Sequence, residues 1–530
     1  MKLVFIGACH EVTGSCTYLE VNDKKILVDF GMEQGIDDYE NAKIPCNPSE
    51  IDMVLLTHAH IDHSGLLPFL YAGGFQGEIH ATQASCSLCS IMLRDSAHIQ
   101  EFEAEWRNRK GKRSGKSEYV PLYTMKDAEG AISKLVPHNY DERIAICEGV
   151  EVRFIDAGHL LGSSSIELWA KEGEFSKKLV FSGDIGNYNQ PLIRDPSYID
   201  EADIVVMEST YGDRRHDTPP DFVSSLAEIL EKTFKRGGNL VIPSFAVGRT
   251  QELLYFMRII KDKKLVKYPP NFQVYVDSPL AIEATNMFIK NKESCYDEEA
   301  MEFVNSGINP LSFDGLNIAA TSDESKAINF DSNPKVIISA SGMCEAGRIK
   351  HHLKHNLWNA KNTVLFVGYQ AANTLGRRLL DGAKAVKLFG EEVVVKAEIK
   401  NLYGMSGHAD LDGLINWIKN IKNPKQVFVV HGESSTADTF TKMLNEEYDI
   451  NAYAPYSGTE YDVLNEEFIV HAKPVEIKRK SYEKVNTVYA RLLASLDKLT
   501  KIVKSSEGRT NADLSKLADR INELTNKWEK

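Results

Sequence analysis

The sequence predicts an α/β protein in which a Rossmann-like domain interrupts a strand-rich one and a helical tail follows. Three observations lead there. Residues 1–210 read as short strands parted by turns, with one long helical pattern over 85–106. From about 215 to 395 the rhythm becomes strand, loop, helix, repeated, as parallel βα units require. Beyond 478, apolar residues recur at spacings of three and four.

In the first region KLVFIGA, YLEVN and KILVDFG are consecutive strand candidates, and IDMVLLT is a buried strand feeding a histidine-rich loop. EVRFIDAG, SIELWA, KLVFSGD and DIVVMES continue the pattern. In the second, NLVIPS, FQVYVDS, KVIISAS and TVLFVGY each precede a helical run. The loops after these strands gather Ser244, Arg249, Ser341, Arg348 and Arg377, and in parallel sheets that edge binds ligands. A third region holds VVVKAEI, MSGHADLDGLINWI and VFVVHGE. The expected boundaries are 1–210 and 396–470 for two parts of one domain, 211–395 for an insert, and 478–530 for the tail. In the tail, Val485, Tyr489, Leu492, Leu496, Leu499 and Val503 form one stripe, and Leu514, Leu517, Ile521, Leu524 and Trp528 another after a cap at Thr510–Asp513. Such stripes fit a helical hairpin that packs on its own domain or forms a homodimer.

At 530 residues the chain exceeds one core, and 43% hydrophobic with 26% charged residues is ordinary for a soluble protein. It has no run long and apolar enough for a membrane span, and its start lacks a signal-peptide layout. Eight scattered cysteines fit free thiols in a reducing cytoplasm. A net charge of −13 speaks against a general nucleic-acid binder. Yet Arg107, Arg109, Lys110, Lys112, Arg113 and Lys116 crowd one Gly/Ser-containing stretch, which reads as a loop, either solvated or contacting phosphate.

The strongest chemical signal is His58-x-His60-x-Asp62-His63 directly after IDMVLLT. Alternate residues of an extended segment share a side, so His58, His60 and Asp62 converge, and His63 turns in as the next helix begins. Imidazole and carboxylate are zinc's ligands in catalytic sites. His159, Asp184 and His431 each end an apolar strand and precede a Gly. Together these seven complete two sites: three His with a shared Asp, and Asp, His, His with that same Asp. A carboxylate bridging two metals is the usual two-metal hydrolase arrangement.

HAHIDH with Asp29, His159, Asp184 and His431 resembles the metallo-β-lactamase superfamily. Glu208 in MESTYGDR, His408 in SGHAD, His431 in VHGE and the segment IPSFAVGRTQELL resemble its β-CASP nucleases. The resemblance spans roughly residues 1–465 and is closest to bacterial and archaeal relatives of the endonuclease subunit of the cleavage and polyadenylation factor. The chain departs from them in lacking N-terminal KH domains and in its helical tail.

The resemblance implies an αββα sandwich with an inserted β-CASP domain and a zinc-dependent ribonuclease carrying two Zn²⁺ per chain. It assigns one zinc to His58, His60 and His159 and the other to Asp62, His63 and His431, with Asp184 bridging. His408 becomes the candidate acid for the leaving oxygen, Glu208 its support, and Asp29 a holder of the metal–water network. Ser244, Arg249, Ser341, Arg348 and Arg377 become candidate contacts to RNA phosphates in the cleft. The residues alone leave rivals: His408 as a helix cap, Asp29 as a turn residue, a thioester or lactone hydrolase, and a silent RNA-binding scaffold.

Overall fold

Side chains alternate across a strand, so a strand apolar at every position must be covered on both faces. Lys2–Gly7 shows the consequence: Leu3 and Phe5 enter one core, Val4 and Ile6 another. Ile204–Glu208 does the same, with Ile204 and Val206 in the first of these cores and Val205 and Met207 in a third. The computed structural model describes residues 1–35, 38–112, 118–477, 496, 499–500, 502–506 and 510–527. It divides into two units, Met1–Val475 and Glu476–Lys530.

In the first unit, an eight-stranded sheet runs in the order Glu467–Val470, Glu460–Asp462, Lys2–Gly7, Cys16–Val21, Lys24–Val28, Met53–Leu55, Glu78–Thr82, Leu135–His138. A seven-stranded sheet runs Ala452–Tyr453, Gln426–Val430, Ile204–Glu208, Phe175–Phe181, Ser164–Glu172, Val150–Asp156, Ile144–Cys147. Leu3, Phe5, Val28 and Leu55 from one sheet and Phe154, Leu168, Phe181 and Phe428 from the other share one buried cluster, so the sheets stack face to face. Helices cover the outer faces. Gln83–Lys112 brings Leu88, Ile91 and Leu93 to one, and Leu411–Lys419 brings Leu414, Trp417 and Ile418 to the other. This is the expected αββα sandwich.

The chain leaves the seven-stranded sheet after Glu208 and re-enters at Gln426. Between them lies an all-parallel sheet of six strands: Leu316–Ile318, Gln273–Val276, Lys335–Ser339, Leu240–Pro243, Thr363–Phe366 and Glu398–Asn401. Its order doubles back at Leu240–Pro243, as in Rossmann-like sheets. VVVKAEI is not one strand. Glu391–Val394 pairs in a hairpin with Ala385–Leu388, and the Lys396 and Ala397 amides both donate to the Leu357 carbonyl before Glu398–Asn401 joins the large sheet. The inserted sheet therefore ends past residue 395, where the sequence rhythm places its boundary.

The basic stretch is also corrected. Arg107, Arg109, Lys110 and Lys112 lie on the last turns of the helix Gln83–Lys112, not on a loop; Arg113 and Lys116 lie outside the described residues. Glu103–Arg107 and Glu105–Arg109 pair one turn apart, and cations suit a helix C-terminus, so these residues extend the helix.

In the second unit the helix Asn511–Asn526 begins where the cap signal places it, with the Thr510 hydroxyl accepting from the Asp513 amide at 3.3 Å. Val485, Tyr489, Leu492 and Trp528 lie outside the described residues. No helix among the described residues is long and apolar enough to cross a membrane.

Candidate metal centre

The strand Met53–Leu55 delivers the chain to its carboxyl end, where His58 and His60 sit in the following loop and Asp62 and His63 in the short helix Ile61–Ser64. His159 and Asp184 follow Val150–Asp156 and Phe175–Phe181, and His431 follows Gln426–Val430, all from the facing sheet. The centre therefore sits on the rim between the two sheets. Two glycines make the approach: Gly158 and Gly183, immediately before ligands, hold φ of 62° and 57°. A Cβ on Gly158 would lie 2.5 Å from the Pro196 nitrogen.

His58 Nε2 and His159 Nε2 lie 3.0 and 3.2 Å from His60 Nδ1, and both lie 3.4 Å from Asp184 Oδ2. On the other side of the same carboxylate, Asp184 Oδ1 is 3.1 Å from His63 Nε2 and 3.4 Å from His431 Nε2, with Asp62 Oδ2 3.7 Å from His431 Nε2. One carboxylate thus offers one oxygen to each of two ligand groups. Burial drives His58, His60 and His159 toward the neutral form, His60 to about 3, which is the ligand form of imidazole. Burial also pushes the Asp184 carboxyl up, but His431, His63 and His58 outweigh it and hold it ionised well below the usual range.

The donors fit metal ions. Asp184 Oδ1 and His431 Nε2 are buried and have no hydrogen-bond partner, although each points at other donors. Neutral imidazole lone pairs facing one another at 3.0–3.2 Å need a cation between them.

A surrounding layer sets the tautomers. His63 Nδ1 donates to Asp29 Oδ2 at 2.8 Å, and Asp29 is itself fixed by the Thr57 amide and hydroxyl, each at 2.8 Å. His159 Nδ1 donates to the Gly407 carbonyl at 3.0 Å, and His431 Nδ1 meets the Thr210 hydroxyl at 3.0 Å. Each contact frees the opposite nitrogen for the centre. Asp29 is therefore an orienting partner of His63. Thr210 was missed by sequence reasoning, though it lies in the same MESTYGDR segment as Glu208; a hydroxyl two residues past a strand-end acid was the available signal.

Beside the ligands, His408 Nδ1 lies 3.1 and 3.2 Å from the two Glu208 oxygens, and its Nε2 is 4.0 Å from Asp184 Oδ2. Burial opposes the charge on His408, but Glu208 and Asp184 outweigh it and raise its pKa to about 9. His408 is not a helix cap: Asp410 caps Leu411–Lys419, accepting from the Gly413 amide at 3.1 Å.

The five loop residues are dispersed. Arg249 reaches toward the centre, donating to the Met405 carbonyl and pairing with Glu252. Arg348 is tied at 2.7 Å to the fully buried Asp277, which His352 also meets at 2.6 Å. Ser244 is buried, receiving the Thr250 hydroxyl at 3.0 Å. Arg377 pairs with Asp381 at 2.9 Å on an exposed helix face, and the half-buried Ser341 hydroxyl donates to the Ala346 carbonyl at 3.5 Å.

This fold and site define a metal-dependent hydrolase. Residues 11–84 match the metallo-β-lactamase superfamily, 250–379 the β-CASP domain, and 392–455 the Zn-dependent metallo-hydrolase RNA specificity domain. The chain is 36% identical over 445 residues to "Ribonuclease TTHA0252" of Thermus thermophilus, covering 84% of this chain and 96% of that one. It is 31% identical over 462 residues to an "RNase J-like protein" of Methanocaldococcus jannaschii, covering 86% and 98%. It is 29% identical over 470 residues to "Transcription termination factor FttA" of the same organism, covering 86% and 70%. The chain belongs to the β-CASP family of the metallo-β-lactamase superfamily.

Proposed function

We propose that the chain hydrolyses RNA phosphodiester bonds at a centre of two zinc ions, with His408 as the acid for the leaving oxygen. The enzyme class, a metal-dependent ribonuclease, follows from the family; the metal count and the residue roles are our reading. The observation that carries it is the Asp184 carboxylate, which offers one oxygen to each ligand group, with His408 Nε2 at 4.0 Å. His58, His60 and His159 would hold one ion and Asp62, His63 and His431 the other. Zinc supplies there a Lewis acid and an acidified water near neutral pH.

Asp29, Thr210 and the Gly407 carbonyl keep the ligand nitrogens facing inward. His408 carries its proton on Nε2 toward the centre, and Glu208 holds Nδ1–H and favours the charged form. A ribose oxygenate is a poor leaving group and needs that proton. A thiolate does not, so a thioester hydrolase would leave this acid idle. Arg249 supports the seam between the inserted domain and the segment that carries His408. The exposed Arg377 and the half-buried Ser341 remain the phosphate candidates.

Elemental analysis tests the metal count: two zinc per chain is expected, and none, with activity surviving chelation, overturns the reading. His408→Ala should lower cleavage about 10²–10⁴-fold with zinc retained. Loss of zinc in that variant would make His408 a ligand instead.

The eight cysteines are all unpaired, in keeping with the cytoplasmic location we propose. In the second unit Leu496, Ile502, Val503 and Leu524 are exposed, which supports our reading of the tail as a homodimer contact. Light scattering of the full chain tests it, and a monomer at micromolar concentration overturns it.

A further inference from the structure

Three adjacent strands of the inserted sheet, Leu240–Pro243, Thr363–Phe366 and Glu398–Asn401, are parallel and end at one edge. Each is followed within three residues by an aromatic side chain left in solvent: Phe245 is 47% exposed, Tyr369 62% and Tyr403 67%. The other half of the edge differs. Gln273–Val276 is followed by Asp277 and Ser278, Lys335–Ser339 by Ala340 and Ser341, and Leu316–Ile318 by Ala319 and Ala320.

Loops of the aromatic half meet the catalytic domain. Arg249, four residues past Phe245, donates to the Met405 carbonyl, two residues past Tyr403. The Gly407 carbonyl accepts from the ligand His159 at 3.0 Å, and His408 follows. The loops also touch one another. Phe245 lies against Gly342, where an added Cβ would meet its ring carbons at 3.1 Å, and the Gly342 carbonyl accepts from Gln370, next to Tyr369, at 3.1 Å. Among the described residues none of the three rings stacks on another aromatic side chain. Each is instead left largely to solvent.

We propose that Phe245, Tyr369 and Tyr403 are stacking platforms for the bases of a single-stranded RNA whose backbone leads to the metal centre. The proposal rests on the ribonuclease reading. Every base has a flat π-face, so such platforms hold a strand with little regard to sequence. In a duplex the bases are already paired and stacked on one another, so such platforms serve an unpaired strand. The edge thereby adds a base contact that Arg348, bound to Asp277, does not provide.

The test is binding of the zinc-loaded full chain to a short fluorescent phosphorothioate RNA that resists cleavage, and to an abasic strand of equal length. Tyr369→Ala and Tyr403→Ala should each weaken RNA binding about fivefold to 150-fold and leave binding of the abasic strand as it is. Tyr403→Phe, which keeps the ring, should bind RNA as the parent does. Trp placed by Tyr369→Trp should lose fluorescence on adding RNA and keep it on adding the abasic strand. Parent-like RNA binding by both alanine variants overturns the stacking proposal alone, as does an equal loss on both strands. Failure of the parent chain to bind either strand overturns the ribonuclease reading together with it.

Discussion

Glu208→Gln separates charge from shape at the proposed acid. The Glu208 carboxylate lies 3.1 and 3.2 Å from His408 Nδ1 and also accepts from the Ile185 amide at 2.6 Å. Glutamine keeps the length and one acceptor oxygen but removes the negative charge. An opposite charge at this range supports the charged imidazole by about 1–3 pK units. His408 is held at about 9 against its burial by Glu208 first and Asp184 next. Zinc on Asp184 would cancel much of the second contribution, so Glu208 becomes the main support of the charge in the loaded enzyme. A raised pKa keeps the proton available to higher pH; lowering it removes the acid from the alkaline end. The alkaline limb of kcat/KM should therefore move down by about 1–3 pH units in Glu208→Gln. Above that limb the rate should fall about tenfold to a thousandfold, and at low pH the two enzymes should converge. Initial rates on a 5′-labelled RNA, with zinc content measured in the same samples, read this out. A limb that stays in place with zinc retained would refute the assignment and leave Glu208 the role of holding the Ile185 and Thr210 amides.

Arg348→Met should lower the unfolding free energy by about 3–5 kcal/mol, because it strips one cation from the fully buried Asp277. A loss of RNA binding with urea stability intact would make Arg348 a substrate contact instead. Burial raises the Asp156 carboxyl to about 7 against the Gly158 amide, which donates to it at 3.0 Å. The native state then holds a proton that the unfolded chain releases near pH 4, so stability falls as pH rises from about 4 to 7, by at most about 4 kcal/mol. Asp156→Asn should remove that slope, seen as the difference in thermal midpoints between the two proteins at pH 5 and 8; parallel curves would contradict it. Replacing Arg107, Arg109, Lys110 and Lys112 by Gln should flatten the salt dependence of RNA binding, the slope of log K against log salt changing by about 1–3. An unchanged slope would leave these residues as a solvated helix end.

The candidate metal ligands stood out because their chemistry is concentrated. Four of them fall in six residues after one buried strand, and His159, Asp184 and His431 each mark the end of an apolar strand. The insert was legible because four of its six strands are largely apolar and each of the four is followed by a helix. Most of what failed depended on partners distant in the chain. Arg348 reads as a free helix-end charge until Asp277, 71 residues away, comes beneath it. The stretch around Arg107 carries Gly and Ser and reads as a loop, whereas Glu103 and Glu105 support a helix as far as Lys112. VVVKAEI is apolar enough for one strand, and only the Leu357 carbonyl, taking two successive amides, divides it. Thr210 carries no pattern of its own, since a single hydroxyl gains meaning from the imidazole it meets.

The origin of the ligands on both sides of the insert orders events during synthesis. His58, His60, His159 and Asp184 have all been synthesised before the insert begins, so the first ligand group is present in a chain of about 210 residues. The second waits for His431, about 250 residues after Asp184. At roughly 5–20 residues per second that delay is about 12–50 s. Through this interval the nascent protein holds one ligand group without its neighbour, and lacks both the proposed acid and the last strands of the sandwich. On the two-ion reading proposed above, the capacity to cut RNA therefore arrives only with the segment from Leu402 to His431, after the whole insert has been made.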